Sequence, residues 1–291
     1  MTGTARILLD IRARVGESPL WDPARERLFF VDIERAEIHA VAADGTQHRH
    51  WTLPDRPTAL GLAETGLVVA CAKGIHLWSP ETGAFDLLCR VEEGIDTNRL
   101  NDGKVGPDGC FWVGSMHERP ERLPTAALWR ITPEGRAEKK LDGIKVSNGL
   151  AWTPDGRTMF HSDTRGPWID RWDFDPLTGA MTNRTRIATL DDATGRPDGA
   201  TCDRDGFYWS AGVTAGRLNR FRADGGLVGS VDLPVAAPTM ACFGGEDFAT
   251  LFVTSLTDGV SPERIAAKPA TGAVVAIETG ARGVAPYVFA A

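Results

Sequence analysis

Short apolar runs separated by turn residues recur along the whole chain. Turn sequences such as Pro-Asp-Gly at 107–109 and 154–156 precede them, and these favour tight hairpins because proline presets φ and glycine adopts positive φ. Helical periodicity is nearly absent, and only residues 262–268 predict a helical turn. The pattern therefore indicates an all-β fold. The runs with the character of buried strands are 28–32, 67–71, 111–114, 158–161, 207–210 and 251–254.

The turns divide the chain into six similar units. In each unit a residue stands four places before an apolar one, at spacings of 41, 43, 47, 50 and 41 residues between units. Six units of four short strands at this period predict a six-bladed β-propeller with four antiparallel strands per blade. The aligned residues are Glu17, Thr58, Asn101, Asn148, Asp198 and Thr239.

The last unit is one outer strand short, whereas the apolar segment 5–11 precedes the first unit. We expect this N-terminal strand to complete the sixth blade, because four aliphatic side chains would otherwise be exposed. With the ring closed in this way, residues 1–291 are predicted to form a single propeller domain.

Aligned residues of a propeller converge, because the innermost strand of every blade lines the central channel. Glu17, Asp198, Asn101 and Asn148 would then form an oxygen-rich cluster with two negative charges. Such carboxylates favour a shared cation, and oxygen ligands suit Ca²⁺, Mg²⁺ or Mn²⁺, although Zn²⁺ or Fe²⁺ also occupies sites of this kind. Each motif taken alone, such as Asn148-Gly149, is also a common turn; the convergence favours one divalent metal ion.

Composition excludes several classes of partner. The chain has 291 residues with a formal net charge of −7 and no basic stripe, so neither nucleic acid nor an anionic membrane is an expected partner. The N-terminal segment is not expected to be a secretory signal, because charged residues stand where its apolar core would lie, namely Asp10, Arg12 and Arg14. The five cysteines are odd in number and form no CxxC pair, which is typical of a reduced, cytoplasmic protein. A closed propeller needs no partner to cover its edges, so we expect a monomer or weak oligomer.

Five motifs in order along the chain carry a family resemblance. The motifs are Gly-Glu-Ser-Pro at 16–19, Arg-Leu-Asn-Asp-Gly-Lys at 99–104, Gly-Ser-Met at 114–116, Ser-Asn-Gly-Leu-Ala-Trp at 147–152 and Arg-Pro-Asp-Gly at 196–199. With these motifs the chain resembles the SMP-30/gluconolactonase/LRE family of regucalcin-like sugar lactonases, and it is similar in character to the bacterial aldonolactonases.

The resemblance implies one divalent metal ion in the channel and hydrolysis of an aldonolactone to its aldonic acid. By position, the metal ligands fall on Glu17, Asn148 and Asp198, and the substrate contacts fall on Arg99 and Asn101. The metal would act as a Lewis acid and Asp198 is the candidate general base. Activation of water by the metal without a protein base is the alternative. For Arg99, the alternative is a structural cation that holds a loop.

One departure from the family pattern concerns the substrate side of the pocket. Regucalcin-like members have an acidic residue three places after the methionine of the Gly-Ser/Thr-Met motif, and here that place is Arg119. His117 and Glu118 stand immediately before it and are our candidate substrate contacts. The metal, whether Ca²⁺, Zn²⁺, Mg²⁺, Mn²⁺ or Fe²⁺, is not fixed by ligand type.

Two other functions share the same predicted site. One is a non-enzymatic calcium- or divalent-ion-binding regulatory protein of regucalcin type, and the weaker one is a propeller hydrolase acting on phosphotriesters. A polar loop at 116–122, together with Arg99 and Asn101, favours a pocket for a small-molecule sugar lactone over bare ion binding. A serine esterase is disfavoured because the chain has no Gly-x-Ser-x-Gly elbow.

Overall fold

Antiparallel strands dominate the computed structural model, which describes residues 4–291. In the first half of the chain the strands are β1 (Thr4–Asp10), β2 (Gly16–Asp22), β3 (Arg27–Asp32), β4 (Glu37–Val41), β5 (Arg49–Thr52), β6 (Pro57–Ala63), β7 (Gly66–Cys71), β8 (Gly74–Trp78), β9 (Phe85–Arg90), β10 (Asn98–Val105), β11 (Phe111–His117), β12 (Ala126–Ile131) and β13 (Ala137–Ile144). A short 3₁₀ turn, Ile33–Arg35, follows β3.

The second half of the chain repeats the pattern. Its strands are β14 (Ser147–Trp152), β15 (Thr158–Asp163), β16 (Trp168–Phe174), β17 (Met181–Thr189), β18 (Pro197–Cys202), β19 (Tyr208–Gly212), β20 (Arg217–Phe221), β21 (Leu227–Asp232), β22 (Pro238–Gly244), β23 (Thr250–Ser255), β24 (Ala273–Glu278) and β25 (Val288–Phe289). The predicted helical turn is the helix α1 (Pro262–Ala267), and a 3₁₀ turn covers Glu246–Phe248. Within residues 4–291, no helix is long and apolar enough to cross a membrane.

The sheets form the predicted six-bladed propeller. Each blade contains four antiparallel strands, and the second blade also carries β25, which pairs in parallel with β6. The innermost strands of the blades contact one another in a closed ring; they are β2, β6, β10, β14, β18 and β22. The N-terminal strand β1 pairs with β24, from Thr4 opposite Glu278 to Asp10 opposite Ala273. The predicted closure of the sixth blade by the N-terminal strand is therefore confirmed.

The innermost strands share an irregularity at the aligned positions. In every blade the pairing between the innermost strand and its neighbour shifts register there, for example between Glu17 and Leu20 and between Asn148 and Ala151. The corresponding shifts in the other blades lie at 57–59, 100–103, 197–200 and 238–241. A β-bulge redirects the side chains beside it, so each blade can turn one polar residue towards the channel.

The core lies between the blades. Each of six clusters of buried apolar side chains draws on two neighbouring blades, so that every blade is held by the two beside it. Trp21, Trp112, Trp152 and Trp209, which occupy equivalent places in the repeat, are buried, as expected for core residues. The five cysteines form no disulfide among residues 4–291, and four of them are buried.

Two buried histidines predict a stability that falls in acid. Burial lowers the pKa of His39 and of His161 from 6.5 to about 3, and the charges of His48, His50 and Arg35 also act on His39. The unfolded chain therefore takes up protons between pH 6.5 and 3 that the folded chain does not, so the free energy of unfolding rises with pH across this window. Acidification from pH 7 to 5 should lower it by about 2 kcal/mol for each of these residues.

The variant His39→Gln tests this pH dependence by urea unfolding at pH 7 and pH 5. It should lose about 2 kcal/mol less than the wild type on acidification, because one buried titrating group is gone. The comparison variant His50→Gln removes an exposed imidazole whose charge acts on His39 but leaves the buried His39 ring in place, so its pH difference should stay close to that of the wild type. Identical pH differences in His39→Gln and the wild type would contradict the assignment.

Candidate metal and substrate site

A cavity in the channel brings four of the six aligned residues together. Glu17, Asn101, Asn148 and Asp198 all line it, and Arg99 lies beside them. They come from β2, β10, β14 and β18, which belong to four different blades. Residues far apart in the sequence thus meet because they hold the same place in the repeat.

The two aligned threonines do not line this cavity. Thr58 is buried and its hydroxyl donates to the carbonyl oxygen of Ala70 at 3.3 Å. The hydroxyl of Thr239, also buried, donates to the carbonyl oxygen of Gly16 and shares a hydrogen bond with Thr254. The Thr239 bond links β22 to β2 of the neighbouring blade, whereas the Thr58 bond stays within one blade, between β6 and β7.

A relay of hydrogen bonds fixes the amide of Asn148. The Thr164 hydroxyl donates its one proton to the carbonyl oxygen of Pro197 at 2.7 Å, so it accepts from Nδ2 of Asn148 at 2.8 Å. The Oδ1 atom of Asn148 is consequently buried without a hydrogen-bond partner among the residues that the structure describes. A buried acceptor left in this way fits the coordination of a cation.

Two carboxyl groups inside the channel repel each other. Burial raises the pKa of Glu17 well above its usual range, and the negative charges of Asp198 and Asp102 raise it further. Burial also raises the pKa of Asp198, again with a contribution from Asp102. Converging carboxylates of this kind favour a bound cation, which relieves their repulsion.

Asp102 is a further carboxylate near the site that the repeat pattern did not single out. Its buried carboxylate accepts from the backbone N–H of Leu150 at 3.1 Å through Oδ2, while Oδ1 has no partner among residues 4–291. Burial raises its pKa, and the ammonium group of Lys104 acts in the opposite direction. The available signal was its position, because it directly follows Asn101 within the same bulge of β10.

Arg99 is held in place by its neighbours. Its Nη1 donates to Oδ1 of Asn101 at 2.8 Å and to the carbonyl oxygen of Leu100 at 2.9 Å. Its Nε lies 3.3 Å from Oε1 of Glu118, whose carboxylate also accepts two hydrogen bonds from Arg56, at 2.8 and 3.1 Å. Asn101 in turn donates from Nδ2 to the carbonyl oxygen of Ser147 at 2.9 Å. Glu118 therefore reaches the site through Arg99.

The other residues considered from the sequence lie outside the cavity wall. His117 is buried, its carbonyl oxygen accepts from Nη1 of Arg122 at 2.7 Å, and its side chain is not among those lining the cavity within the described residues. The cavity wall also includes Arg122, which ends the polar loop 116–122, and two arginines that the sequence pattern did not single out, Arg165 and Arg264.

The side chains present fit a divalent cation bound through oxygen. Glu17 and Asp198 supply carboxylates and Asn148 supplies an unpartnered amide oxygen to the same cavity. In the described part of the chain, no group of three or more His, Cys, Asp or Glu side chains is arranged to hold a metal. The candidate set therefore depends on the Asn148 amide as its third ligand, and an oxygen-only set of this kind suits hard cations.

These features define a class of protein, a six-bladed propeller whose channel holds a cavity lined by carboxyl and amide oxygens and by guanidinium groups. Residues 15–257 match the family described as the SMP-30/Gluconolactonase/LRE-like region. The chain belongs to this family, and the expected family membership is confirmed.

Named relatives extend over the full chain. It is 33% identical over 291 residues to a 6-deoxy-6-sulfogluconolactonase from Pseudomonas putida, with complete coverage of both chains. It is 32% identical over 286 residues to regucalcin from Gallus gallus, with 96% of each chain covered. Among solved structures, a calcium-binding protein, regucalcin, from Agrobacterium tumefaciens matches with a TM-score of 0.92 and 26% identity, covering 99% of this chain and 98% of the other.

Proposed function

We propose that this protein hydrolyses a sugar lactone, an aldonolactone, to the aldonic acid with the help of a divalent metal ion. The observation that carries the proposal is the cavity itself, where the unpartnered Oδ1 of Asn148 meets the carboxylates of Glu17 and Asp198 beside the guanidinium group of Arg99. Relatives named as a sulfogluconolactonase and as regucalcin, matched over nearly the full chain, support it.

Glu17, Asn148 and Asp198 would hold the metal ion. When bound, the ion would supply Lewis-acid polarisation of the lactone carbonyl and charge stabilisation as negative charge develops on its oxygen. The Thr164 hydroxyl keeps the Asn148 amide in the orientation that this role needs.

Asp198 is the proposed general base. It accepts a proton from the attacking water as the water oxygen bonds to the carbonyl carbon, and it returns the proton to the ring oxygen when the acyl C–O bond breaks. The products are one carboxylic acid and one hydroxyl group, so atoms balance without any further reactant. Burial and the charge of Asp102 raise the pKa of Asp198, which makes its carboxylate a better proton acceptor.

Arg99 is the proposed substrate contact. Only its Nη1 group is committed to Asn101 and Leu100, so the Nη2 group has no assigned hydrogen bond among residues 4–291 and can donate to a ring oxygen or hydroxyl. Asn101 holds this guanidinium in position through Oδ1. A planar donor fixed on two sides can orient a sugar without losing much side-chain freedom on binding.

The test is the rate of acid release at constant pH from a panel of pentono- and hexonolactones. The metal-stripped protein should open them at the spontaneous rate, and restoring one of Ca²⁺, Mg²⁺, Mn²⁺, Zn²⁺ or Fe²⁺ should accelerate at least one lactone by tenfold or more. Each ion without protein is the control, because free metal ions also catalyse lactone opening.

Metal binding measured by calorimetry on the same samples separates the outcomes. Tight binding of an ion with no acceleration of any lactone would overturn the enzymatic proposal. That result would favour the alternative, a non-enzymatic divalent-ion-binding regulator.

A further inference from the structure

Two arginines from separate loops enter the same cavity as the carboxylates. Arg122 lies in the loop between β11 and β12, and Arg165 lies in the loop between β15 and β16. Arg122 is half-buried and Arg165 is exposed at the cavity's edge. The proposed hydrolysis assigns no role to either side chain.

Both loops are held by specific hydrogen bonds. Nη1 of Arg122 donates to the carbonyl oxygen of His117 at 2.7 Å, and the residue has φ of 48°, a left-handed conformation that costs a non-glycine residue energy. The backbone N–H of Arg165 donates to Oδ1 of Asp163 at 2.9 Å, and the same oxygen accepts from the N–H of Val146 at 3.1 Å. Asp163 therefore ties the Arg165 turn to the segment that leads into β14.

No carboxylate within residues 4–291 forms an ion pair with either guanidinium. Glu118, whose charge acts on Arg122, is already bound by Arg56 and lies 3.3 Å from Arg99. Asp258, which also lines the cavity, pairs with Arg14 at 2.7 Å.

The third additional arginine of the wall, Arg264, has a structural role instead. Its Nη2 group donates to the carbonyl oxygens of Ala236 at 2.6 Å and Thr214 at 2.9 Å. Arg122 and Arg165 are the ones that keep cationic N–H groups available to a ligand.

The two available guanidinium groups repel each other. Burial lowers the pKa of Arg122, and the positive charge of Arg165 lowers it further. An oxyanion placed between two guanidinium groups would remove this repulsion and accept charge-assisted hydrogen bonds from both.

We propose that Arg122 and Arg165 form a subsite for an oxyanion carried by the substrate at the end of the sugar remote from the lactone carbonyl. The substrate class is then an aldonolactone with a terminal phosphate, sulfonate or carboxylate group. This inference rests on the proposed lactone hydrolysis, because it places the reacting carbonyl near Asp198 and the oxyanion near the two arginines.

The variant Arg165→Gln tests the subsite. The probes are 6-phosphoglucono-1,5-lactone, 6-deoxy-6-sulfoglucono-1,5-lactone, glucaro-1,4-lactone and neutral glucono-1,5-lactone. The wild type should prefer an anionic lactone, and the variant should lose about tenfold in kcat/KM for it while changing less than twofold on the neutral one. The preference of the wild type should also shrink as salt is raised, because Arg165 is exposed.

Arg49→Gln is the matched control, because it removes one exposed arginine from β5 on the outer edge of the first blade. It should leave both rates unchanged. Arg122→Lys keeps a charge at the half-buried position and should lose less for the anionic lactone than Arg122→Gln does. Equal losses on anionic and neutral lactones, or a wild type that prefers the neutral one, would overturn the subsite.

Binding of 6-phosphogluconate and gluconate, measured by calorimetry, separates this inference from the function beneath it. Arg165-dependent preference for 6-phosphogluconate in a protein that opens no lactone would leave the subsite standing and overturn lactone hydrolysis. Lactone opening with no preference for anionic over neutral ligands, in rate or in binding, would leave lactone hydrolysis standing and overturn the subsite.

Discussion

Replacement of Asp198 by asparagine is expected to lower kcat/KM for lactone opening by about a thousandfold without unfolding the protein. Two proposed roles coincide in this one side chain, since its carboxylate binds the cation and accepts the proton of the attacking water. Asparagine keeps the shape and one ligating oxygen but has no proton-accepting carboxylate at neutral pH. The measurement is steady-state acid release together with calorimetric metal affinity and circular dichroism.

The affinity measurement divides the two roles. Loss of turnover with metal affinity retained within tenfold would identify Asp198 as the base, and loss of both would identify it as a required ligand. The matched control is Asp258→Asn, which removes a carboxylate from the same cavity that is instead paired with Arg14. This control should lose less than threefold. Undiminished turnover in Asp198→Asn would contradict the site assignment.

The propeller could be predicted because the sequence repeats once per blade. Turn residues before each strand and a period of 41 to 50 residues showed where each of the six blades begins. Because the last unit lacks an outer strand, the apolar N-terminal segment could be assigned to that position. The C-terminal strand β25 was not foreseen. Its two residues, Val288 and Phe289, pair in parallel with β6, and so short a strand carries no periodic signal.

The sequence could predict which residues lie near the candidate site, but not which of their polar atoms are free to bind a ligand. Equivalence in the repeat selected Glu17, Asn148 and Asp198, but it selected Thr58 equally, whose hydroxyl is used by the backbone instead. Which polar atoms stay free depends on neighbours from other loops, as Thr164 shows for Asn148. Contacts of this kind arise from tertiary packing and leave no local pattern in the chain.

Arg119 stands where the family pattern has an acidic residue, and the neighbouring Glu118 supplies an acidic side chain to the site instead. Glu118 lies 3.3 Å from Nε of Arg99, so an acidic side chain still meets the arginine that lines the cavity. Arg56 bridges Glu118 to Glu34, with Nη1 3.0 Å from the Glu34 carboxylate. The four side chains form a row of alternating charges in the order Glu34, Arg56, Glu118 and Arg99. Within this row Glu118 contacts both guanidinium groups and keeps them near each other.

The variant Glu118→Gln is therefore expected to raise KM for the lactone about thirtyfold while kcat changes less than threefold. Without this carboxylate the charges of Arg56 and Arg99 repel, and the buried Nε of Arg99 loses its ionic partner. Glu118 would act as a positioning residue, so its loss should weaken substrate binding more than it slows the reaction at Asp198.

Glu34→Gln is the matched control for this last prediction, because Glu34 pairs with the same Arg56 at 3.0 Å without an ion pair to Arg99. Its KM should stay within threefold of the wild type, and Glu118→Asp should recover part of the loss by restoring the charge. An equal rise of KM in the Glu34 and Glu118 variants would contradict a specific role of Glu118 beside Arg99. A fall in kcat with KM unchanged would mean that Glu118 acts on the reacting atoms, contrary to its position beside Arg99.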